Sequence, residues 1–430
     1  MHRLLSVTPP SSLVDSKVTI RATGLEANSF VTIRSVSKQE MPSGVVKYEG
    51  HAHYIADSTG VVSVPDQISL GGTYTGAETM GLFWSMRPSP GQRFGVRYIV
   101  KDVTKPMIVH LSLHRGHLNT EALQTAEVEA TATVKRWYMG QDVERITVRC
   151  GRLRGSVFKP KGPGPFPGVI DMFGSVGGLT EFRAAMLASH GLVGYALPYF
   201  RYDDLPQHMW DLELEYFMEA VDWLSSQPFV KPGGIGLVGV SLGAQMVLAT
   251  ASHFPDKVKA AVTINGCHVN TMVDLKLNGE ALPFLPFDLY NVRPAATEGA
   301  QCLFHSYKAI YDINEDDPRI YRIENNRTCQ YLFIAGEAEA AWNSCHYAQE
   351  AMRRLARHGC HNYQLLRYPD AGHLIEIPYA PVGIMIYSHV AGSVVDHGGT
   401  VRGMAKASED SWPKMVMFLH THCGRDKPKL

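Results

Sequence analysis

The sequence predicts an α/β protein in two parts: a β-sandwich over residues 1–138, and over residues 139–430 a domain built on a mostly parallel sheet. Three observations carry that expectation. Residues 1 to about 135 hold short β-branched, roughly alternating segments separated by Gly, Pro, Asn and Asp, with no convincing helix between them. From 139 onward, apolar strand-like runs alternate with stretches of helical period. One of those runs turns sharply into a helix on Gly239-Val-Ser-Leu-Gly. At 430 residues the chain also exceeds what one hydrophobic core usually holds, so two domains are expected.

In the first part, residues 18–23, 30–35, 60–64 and 94–100 read as strands, and a sandwich of about seven strands accommodates such a pattern. His110, His114 and His117 lie in a strand and turn and read as solvated surface rather than as metal ligands. In the second part, strands are expected at 165–172, 192–198, 235–240, 258–264, 331–335 and 363–368, with helices over 180–190, 211–227, 242–253 and 343–358. Strand alternating with helix implies right-handed crossovers between parallel strands. Residues 268–328 lack clean periodicity and read as an insertion or cap over the carboxyl edge of the sheet, where such sheets bind ligands.

Composition narrows the partners. Lys+Arg and Asp+Glu balance at 41 each, which gives no electrostatic reason to expect nucleic acid or an anionic membrane. No apolar run approaches the roughly 18 residues a spanning helix needs, so no membrane span is expected. Seven cysteines, odd in number and without C-x-x-C spacing, suggest neither a disulfide framework nor a structural zinc site. No cofactor or metal is implied, and oligomeric state is not legible. The N-terminus has no long apolar core, and Pro9-Pro10 would break an amphipathic presequence, so secretory and mitochondrial targeting are not expected. The ending Pro428-Lys429-Leu430 differs from the peroxisomal address S-K-L in its first position, which leaves a peroxisomal or a cytosolic destination.

The turn at Ser241 carries the chemistry. A short apolar run, Ile235 to Val240, leads into G-V-S-L-G, and Met246, Val247, Ala249 and Thr250 then recur at helical spacing. This is the context of a nucleophile elbow, in which a serine stands on a strained strand-to-helix turn and small neighbours let strand and helix approach. A serine hydroxyl is a weak nucleophile at neutral pH, so it needs a base and a carboxylate that orients the base. On this fold the order is serine, acid, histidine. His373, in the loop Pro369-Asp-Ala-Gly-His after the strand at 363–368, has the best context for the base. The acid belongs after the strand at 331–335, in Gly336-Glu-Ala-Glu-Ala-Ala-Trp-Asn, which offers Glu337 and Glu339 but no aspartate. Asp370 is a distant third choice. Oxyanion donors are expected from the backbone N–H of Leu242 and from the loop at Met172, where Gly174, Gly177 and Gly178 supply flexible backbone.

Several separate stretches add a family resemblance: M-G-L-F-W-S-M-R-P from Met80, F-P-G-V-I-D-M-F-G from Phe166, A-L-P-Y-F-R-Y-D-D-L-P from Ala196, G-V-S-L-G-A from Gly239, I-N-G from Ile264, and G-H-L-I-E-I-P-Y from Gly372. With these the chain resembles the family that joins type I acyl-CoA thioesterases with bile acid-CoA:amino acid N-acyltransferases. The resemblance spans nearly the whole chain and implies a C-terminal α/β-hydrolase domain with an N-terminal β-sandwich domain. It places the nucleophile on Ser241, the histidine on His373 and the acid on Glu339 rather than Glu337. The chain departs from the family pattern at Glu339, where the family has Asp, and at I-E-I-P-Y, where it usually has I-E-P-P-Y.

The resemblance implies an acyl-CoA substrate. Hydrolysis to free acid and CoA through an acyl-enzyme is the leading expectation, with transfer of the acyl group to an amino acid as the alternative. The conjugating mammalian members carry Cys at the nucleophile position, so Ser241 favours hydrolysis. A catalytically weak acyl-CoA binder is a third possibility, for which Glu339 is the warning sign.

Overall fold

The computed structural model describes residues 4–41 and 44–424. They fall into two compact units. The first comprises Met1–Ile99, Val103–Tyr138 and Ile377–Gly383, and the second comprises Val100–Asp102, Met139–Glu376 and Ile384–Leu430.

The first unit holds two β-sheets. In the larger, of six strands, Ser11–Leu13, Ala130–Trp137, Met107–Arg115, Phe30–Met41, Gly44–Ile55 and Arg87–Pro88 lie in that order. The smaller contains Leu4–Thr8, Thr19–Thr23 and Val62–Ser63. Met107–Arg115 shows why this sequence makes a sheet: Met107, Val109, Leu111 and Leu113 are buried while Ile108 and His110 point outward, the period of two that a sheet with one covered face demands. Residues 94–100, expected to be a strand, form none, and much of the sheet comes instead from the long hairpin Phe30–Met41 with Gly44–Ile55. The expected surface histidines also divide. His114 is buried, its ring bonded to Ser112 Oγ at 2.8 Å and to the Glu127 carbonyl at 2.8 Å, whereas His110 stays exposed.

The second unit is built on one eight-stranded sheet. Its strands are β1 (Val143–Cys150), β2 (Leu153–Pro160), β3 (Gly168–Met172), β4 (Val193–Ala196), β5 (Ile235–Val240), β6 (Val258–Ile264), β7 (Gln330–Gly336) and β8 (Tyr363–Tyr368). They lie in the order 1-2-4-3-5-6-7-8, with β1 and β2 antiparallel at one edge and β3 to β8 parallel. That order, with the elbow at the carboxyl end of β5, is the α/β-hydrolase arrangement. β5 and β6 read Ile-Gly-Leu-Val-Gly-Val and Val-Lys-Ala-Ala-Val-Thr-Ile because both faces of a central parallel strand are covered.

The helices are α1 (Phe182–Ser189), α2 (Leu214–Ser225), α3 (Leu242–His253), α4 (Ser344–Arg357) and α5 (Val401–His422). The first four lie inside the expected stretches. The antiparallel hairpin β1–β2 and the 22-residue α5 were not expected. Yet α5 is amphipathic, burying Met404, Ser408, Ser411, Trp412, Met415 and Leu419 at spacings of three and four. Thr400 caps it by accepting the Gly403 N–H at 2.9 Å, and Gly403 and Pro413 within it mask the pattern in the sequence. Residues 268–328 form the insertion between β6 and β7. They contain short strands and 3-10 turns around a small core of Val269, Leu285, Tyr307, Ile310 and Ile320.

The turn from β5 into α3 is tight enough to dictate its own sequence. A Cβ at Gly239 would lie 2.3 Å from the Gly243 carbonyl oxygen, and one at Gly243 would lie 2.3 Å from that of Met172. Both obstacles are backbone, which cannot swing aside as a side chain can. Gly239→Ala and Gly243→Ala are therefore each expected to lose about 1–3 kcal/mol of stability through overpacking. Urea unfolding of the two variants checks this, and wild-type midpoints would contradict it.

Candidate active site

Ser241 occupies the residue between β5 and α3 with φ 56° and ψ −122°, backbone that side-chain-bearing residues rarely adopt. The strain is held from both sides. Its N–H donates to the Ile264 carbonyl at 3.0 Å, and its own carbonyl accepts the N–H groups of Ala244 at 3.0 Å and Gln245 at 3.3 Å. The side chain is half-buried. Leu242 follows as the first residue of α3, so its N–H has no partner within the helix.

The loop after β3 lies against this turn. A Cβ at Gly174 would sit 3.2 Å from Ser241 Cβ, which puts the backbone from Met172 to Gly174 beside the serine. Two contacts fix that loop. Tyr199 Oη donates to the Phe173 carbonyl. Below it, Asp171 and Arg183 form an ion pair at 2.6 Å with both side chains 1% exposed, and the guanidinium lies 5.9 Å from the Phe173 ring centre. Burial pushes the Asp171 carboxyl above its usual range, and the attraction of Arg183 opposes that rise.

The loops after β7 and β8 bring the acid and the histidine together. His373 Nδ1 bonds to Glu339 Oε1. Both residues are buried, at 5% and 8% exposure. The second carboxylate oxygen of Glu339 accepts the Ser344 N–H at 3.3 Å, at the start of α4. Burial raises the Glu339 pKa, and His373 and Ser344 pull the other way. The imidazole is held edge-on by Trp342, with ring centres 5.7 Å apart at 77°, and the His373 N–H donates to the His397 carbonyl at 2.8 Å.

The other carboxylates go elsewhere. Glu337 pairs with Arg367 Nε at 2.8 Å toward solvent, and Asp370 is exposed, its carbonyl accepting the Thr400 N–H at 2.9 Å. Among the described residues no hydrogen bond joins the Ser241 hydroxyl to His373. Bonds between nucleophile and base commonly tighten only in the substrate complex. What connects the two regions is Asn265, directly after β6, whose side chain reaches the carbonyl of His373.

Three of these residues had no role in the sequence reading. Trp342 lies within the acid loop, Asn265 within I-N-G, and Ser344 within the helix expected over 343–358, with no role assigned to any of them. A cavity of about 240 Å³ is lined by Tyr199, Leu205, Leu212 and Phe217, with Arg152 and Arg154 at its polar side. All seven cysteines are free thiols. Cys267, two residues beyond Asn265, is pushed up to about 12 by burial and so stays protonated. Among the described residues no cluster is placed to hold a metal ion, and no helix is long and apolar enough to cross a membrane.

Comparison with known proteins places this geometry in a family. Residues 15–150 match the model described as Acyl-CoA thioester hydrolase/BAAT N-terminal region, and residues 212–425 match BAAT / Acyl-CoA thioester hydrolase C terminal. Acyl-coenzyme A amino acid N-acyltransferase 1 of Mus musculus is 37% identical over 99% of both chains. Acyl-coenzyme A thioesterase 1 of Homo sapiens is 37% identical over 95% of this chain and 94% of its own. Bile acid-CoA:amino acid N-acyltransferase of Homo sapiens is 38% identical over 97% of each. With a match in both halves and full-length relatives at these identities, the chain belongs to the family of acyl-CoA thioester hydrolases and bile acid-CoA:amino acid N-acyltransferases.

Proposed function

We propose that the protein is an acyl-CoA thioesterase that releases free acid and CoA through a Ser241, His373, Glu339 triad. The observation that carries this reading is the buried His373–Glu339 pair set at the same sheet edge as the strained Ser241 turn. His373 takes the Ser241 proton as the hydroxyl oxygen attacks the thioester carbonyl. The tetrahedral oxyanion is held by the Leu242 N–H and by backbone at Met172. Collapse expels CoA as the thiol, protonated by His373, and leaves an acyl ester on Ser241. His373 then activates water, which hydrolyses that ester. Glu339 stays ionised throughout, holding the Nδ1 proton in place and stabilising the imidazolium.

The second reading, transfer of the acyl group to an amino acid, has a specific support: relatives of near-equal similarity carry N-acyltransferase names. It differs only in the last step, where an amine replaces water at the acyl-enzyme. The hydroxyl nucleophile at 241 favours water, since the conjugating members that this chain resembles use a thiol.

Measuring CoA release from decanoyl- and palmitoyl-CoA, with and without glycine or taurine, separates the readings. Wild type is expected to release CoA at a rate the amines do not change, and Ser241→Ala to lose about 10³-fold or more. A rate that rises with the amine, with an N-acyl product, would establish conjugation. Binding without CoA release in wild type would leave only a binder.

Changes at position 339 test the acid. Glu339→Asp is expected to stay within about tenfold of wild type, while Glu339→Gln and Glu339→Ala fall by about 10³–10⁴. Full activity in Glu339→Ala would remove Glu339 from the triad. Because its pKa is raised, Glu339 takes up a proton on acidification before an ordinary carboxylate would, and the neutral acid no longer stabilises the imidazolium. The acid side of the log kcat/KM profile for wild type should therefore carry a Glu339 titration, displaced upward from the ordinary carboxylate range, that is absent from Glu339→Gln.

We place the enzyme in peroxisomes or cytosol. The terminal Pro428-Lys429-Leu430 lies outside the described residues and supports the first only through its sequence. A fluorescent protein fused to the N-terminus should accumulate in peroxisomes and become diffuse once those three residues are deleted. Diffuse signal from the intact fusion would favour cytosol.

A further inference from the structure

Asn265 lies between the regions that supply the three proposed catalytic side chains, and its surroundings leave its amide one orientation. It is 0% exposed and sits at φ 47°, left-handed backbone that Asn tolerates better than most residues. Its Nδ2 donates to two carbonyls, Gly372 at 2.9 Å and His373 at 2.6 Å. Its Oδ1 accepts the Gly336 N–H at 2.8 Å, at the end of β7 and three residues before Glu339. A flipped amide would set oxygen against two carbonyl oxygens and nitrogen against an N–H, so only the observed orientation satisfies the site.

The backbone extends the same connection. The Asn265 N–H donates to the Ile334 carbonyl at 2.8 Å, and its carbonyl accepts Trp342 Nε1–H at 3.0 Å, from the ring that abuts the His373 imidazole. The preceding residue, Ile264, holds the Ser241 N–H. One buried residue thus touches the histidine loop, the acid strand and the indole beside the imidazole, and adjoins the residue that anchors the nucleophile.

We propose that Asn265 is a positioning residue for this reaction, fixing the His373 backbone so that its imidazole serves Ser241 and Glu339 together. The proposal rests on the triad reading above. Asn265 touches no reacting atom and acts through His373. Two donors aimed at the carbonyls of consecutive residues determine where that loop sits, and displacement of a catalytic group by about 1 Å can cost about a hundredfold in rate.

Two variants test it. Asn265→Gly keeps left-handed backbone accessible and removes all three side-chain bonds. Asn265→Asp keeps the shape but, when ionised, has no donor for the two carbonyls. Each is assayed for CoA release from decanoyl-CoA and for labelling of Ser241 by an alkyl fluorophosphonate, well below its own melting temperature. Asn265→Gly should lose between about ten- and a hundredfold in kcat and in labelling rate, with KM within about threefold. Asn265→Asp should regain rate relative to wild type as pH falls, because the protonated carboxyl again carries one donor. That pH response keeps the proposal testable if Asn265→Gly does not fold. Wild-type rate and pH profile in Asn265→Asp, or losses that only track the unfolded fraction, would overturn it. A wild-type protein that is labelled yet releases no CoA would sink the thioesterase reading alone, with the Asn265 comparison still read from labelling.

Discussion

The buried pair of His373 and Glu339 is the interaction on which the second unit's loops converge. Two ionisable side chains at 5% and 8% exposure forgo most of their hydration, and polar partners must offset that cost. The neighbouring loops supply them. Glu339 receives the Nδ1 proton and the Ser344 N–H, and His373 is held by backbone bonds from two directions. Residues 396–399 complete the enclosure: Glu339 forms a β-bridge with Gly398, and Gly399 donates to the Ala338 carbonyl at 2.7 Å. Gly398 must lack a side chain, since a Cβ there would lie 2.2 Å from the Ala338 oxygen.

A second ion pair plays a different part. Asp171 and Arg183 are even more deeply buried, but each leaves one polar atom, Oδ2 and Nη2, without a hydrogen-bond partner. Such a pair contributes little net stability compared with an apolar substitute, while removal of one partner would strand a charge. Its value is positional: it ties β3, one residue before Met172, to α1, and so fixes the loop that lies beside Ser241. Strain at Ser241 and a fixed facing loop belong together, because a turn held at φ 56° needs neighbours that cannot relax away from it.

Local pattern made the central strands, four of the five α-helices described in the second unit and the elbow legible in the sequence. Ile235 to Thr250 states strand, turn and helix within a few residues, and the His373 loop follows its strand in the expected order. What escaped depends on contacts remote in sequence. Physical reasoning left Glu337 and Glu339 open, since both are carboxylates in one loop; only the path of that loop sends Glu337 out to Arg367 and Glu339 inward. Asn265 was invisible as a bridge because its partners lie 71, 107 and 108 residues away. Helix α5 was obscured by Gly403 and Pro413, and residues 94–100 look like a strand by composition but find no partner in a sheet.

Glutamate at 339 at first looks like a weakness, because its extra methylene adds a rotor that must be frozen before the carboxylate can orient an imidazole. The structure supplies the restraint. With Oε1 on His373, Oε2 reaches the N–H of Ser344 at the first position of α4, so the carboxylate is gripped at both oxygens and the added rotor has one setting. That N–H, which also donates to the Trp342 carbonyl at 3.2 Å, stands at a helix N-terminus, whose partial positive charge favours the ionised carboxylate and offsets part of its burial cost. The backbone at 339 is itself fixed by its bridge to Gly398, so side-chain length decides which partners come within reach. A shorter acid could keep the histidine or the helix terminus more easily than both. Glutamate is the residue whose length lets this loop use the two together.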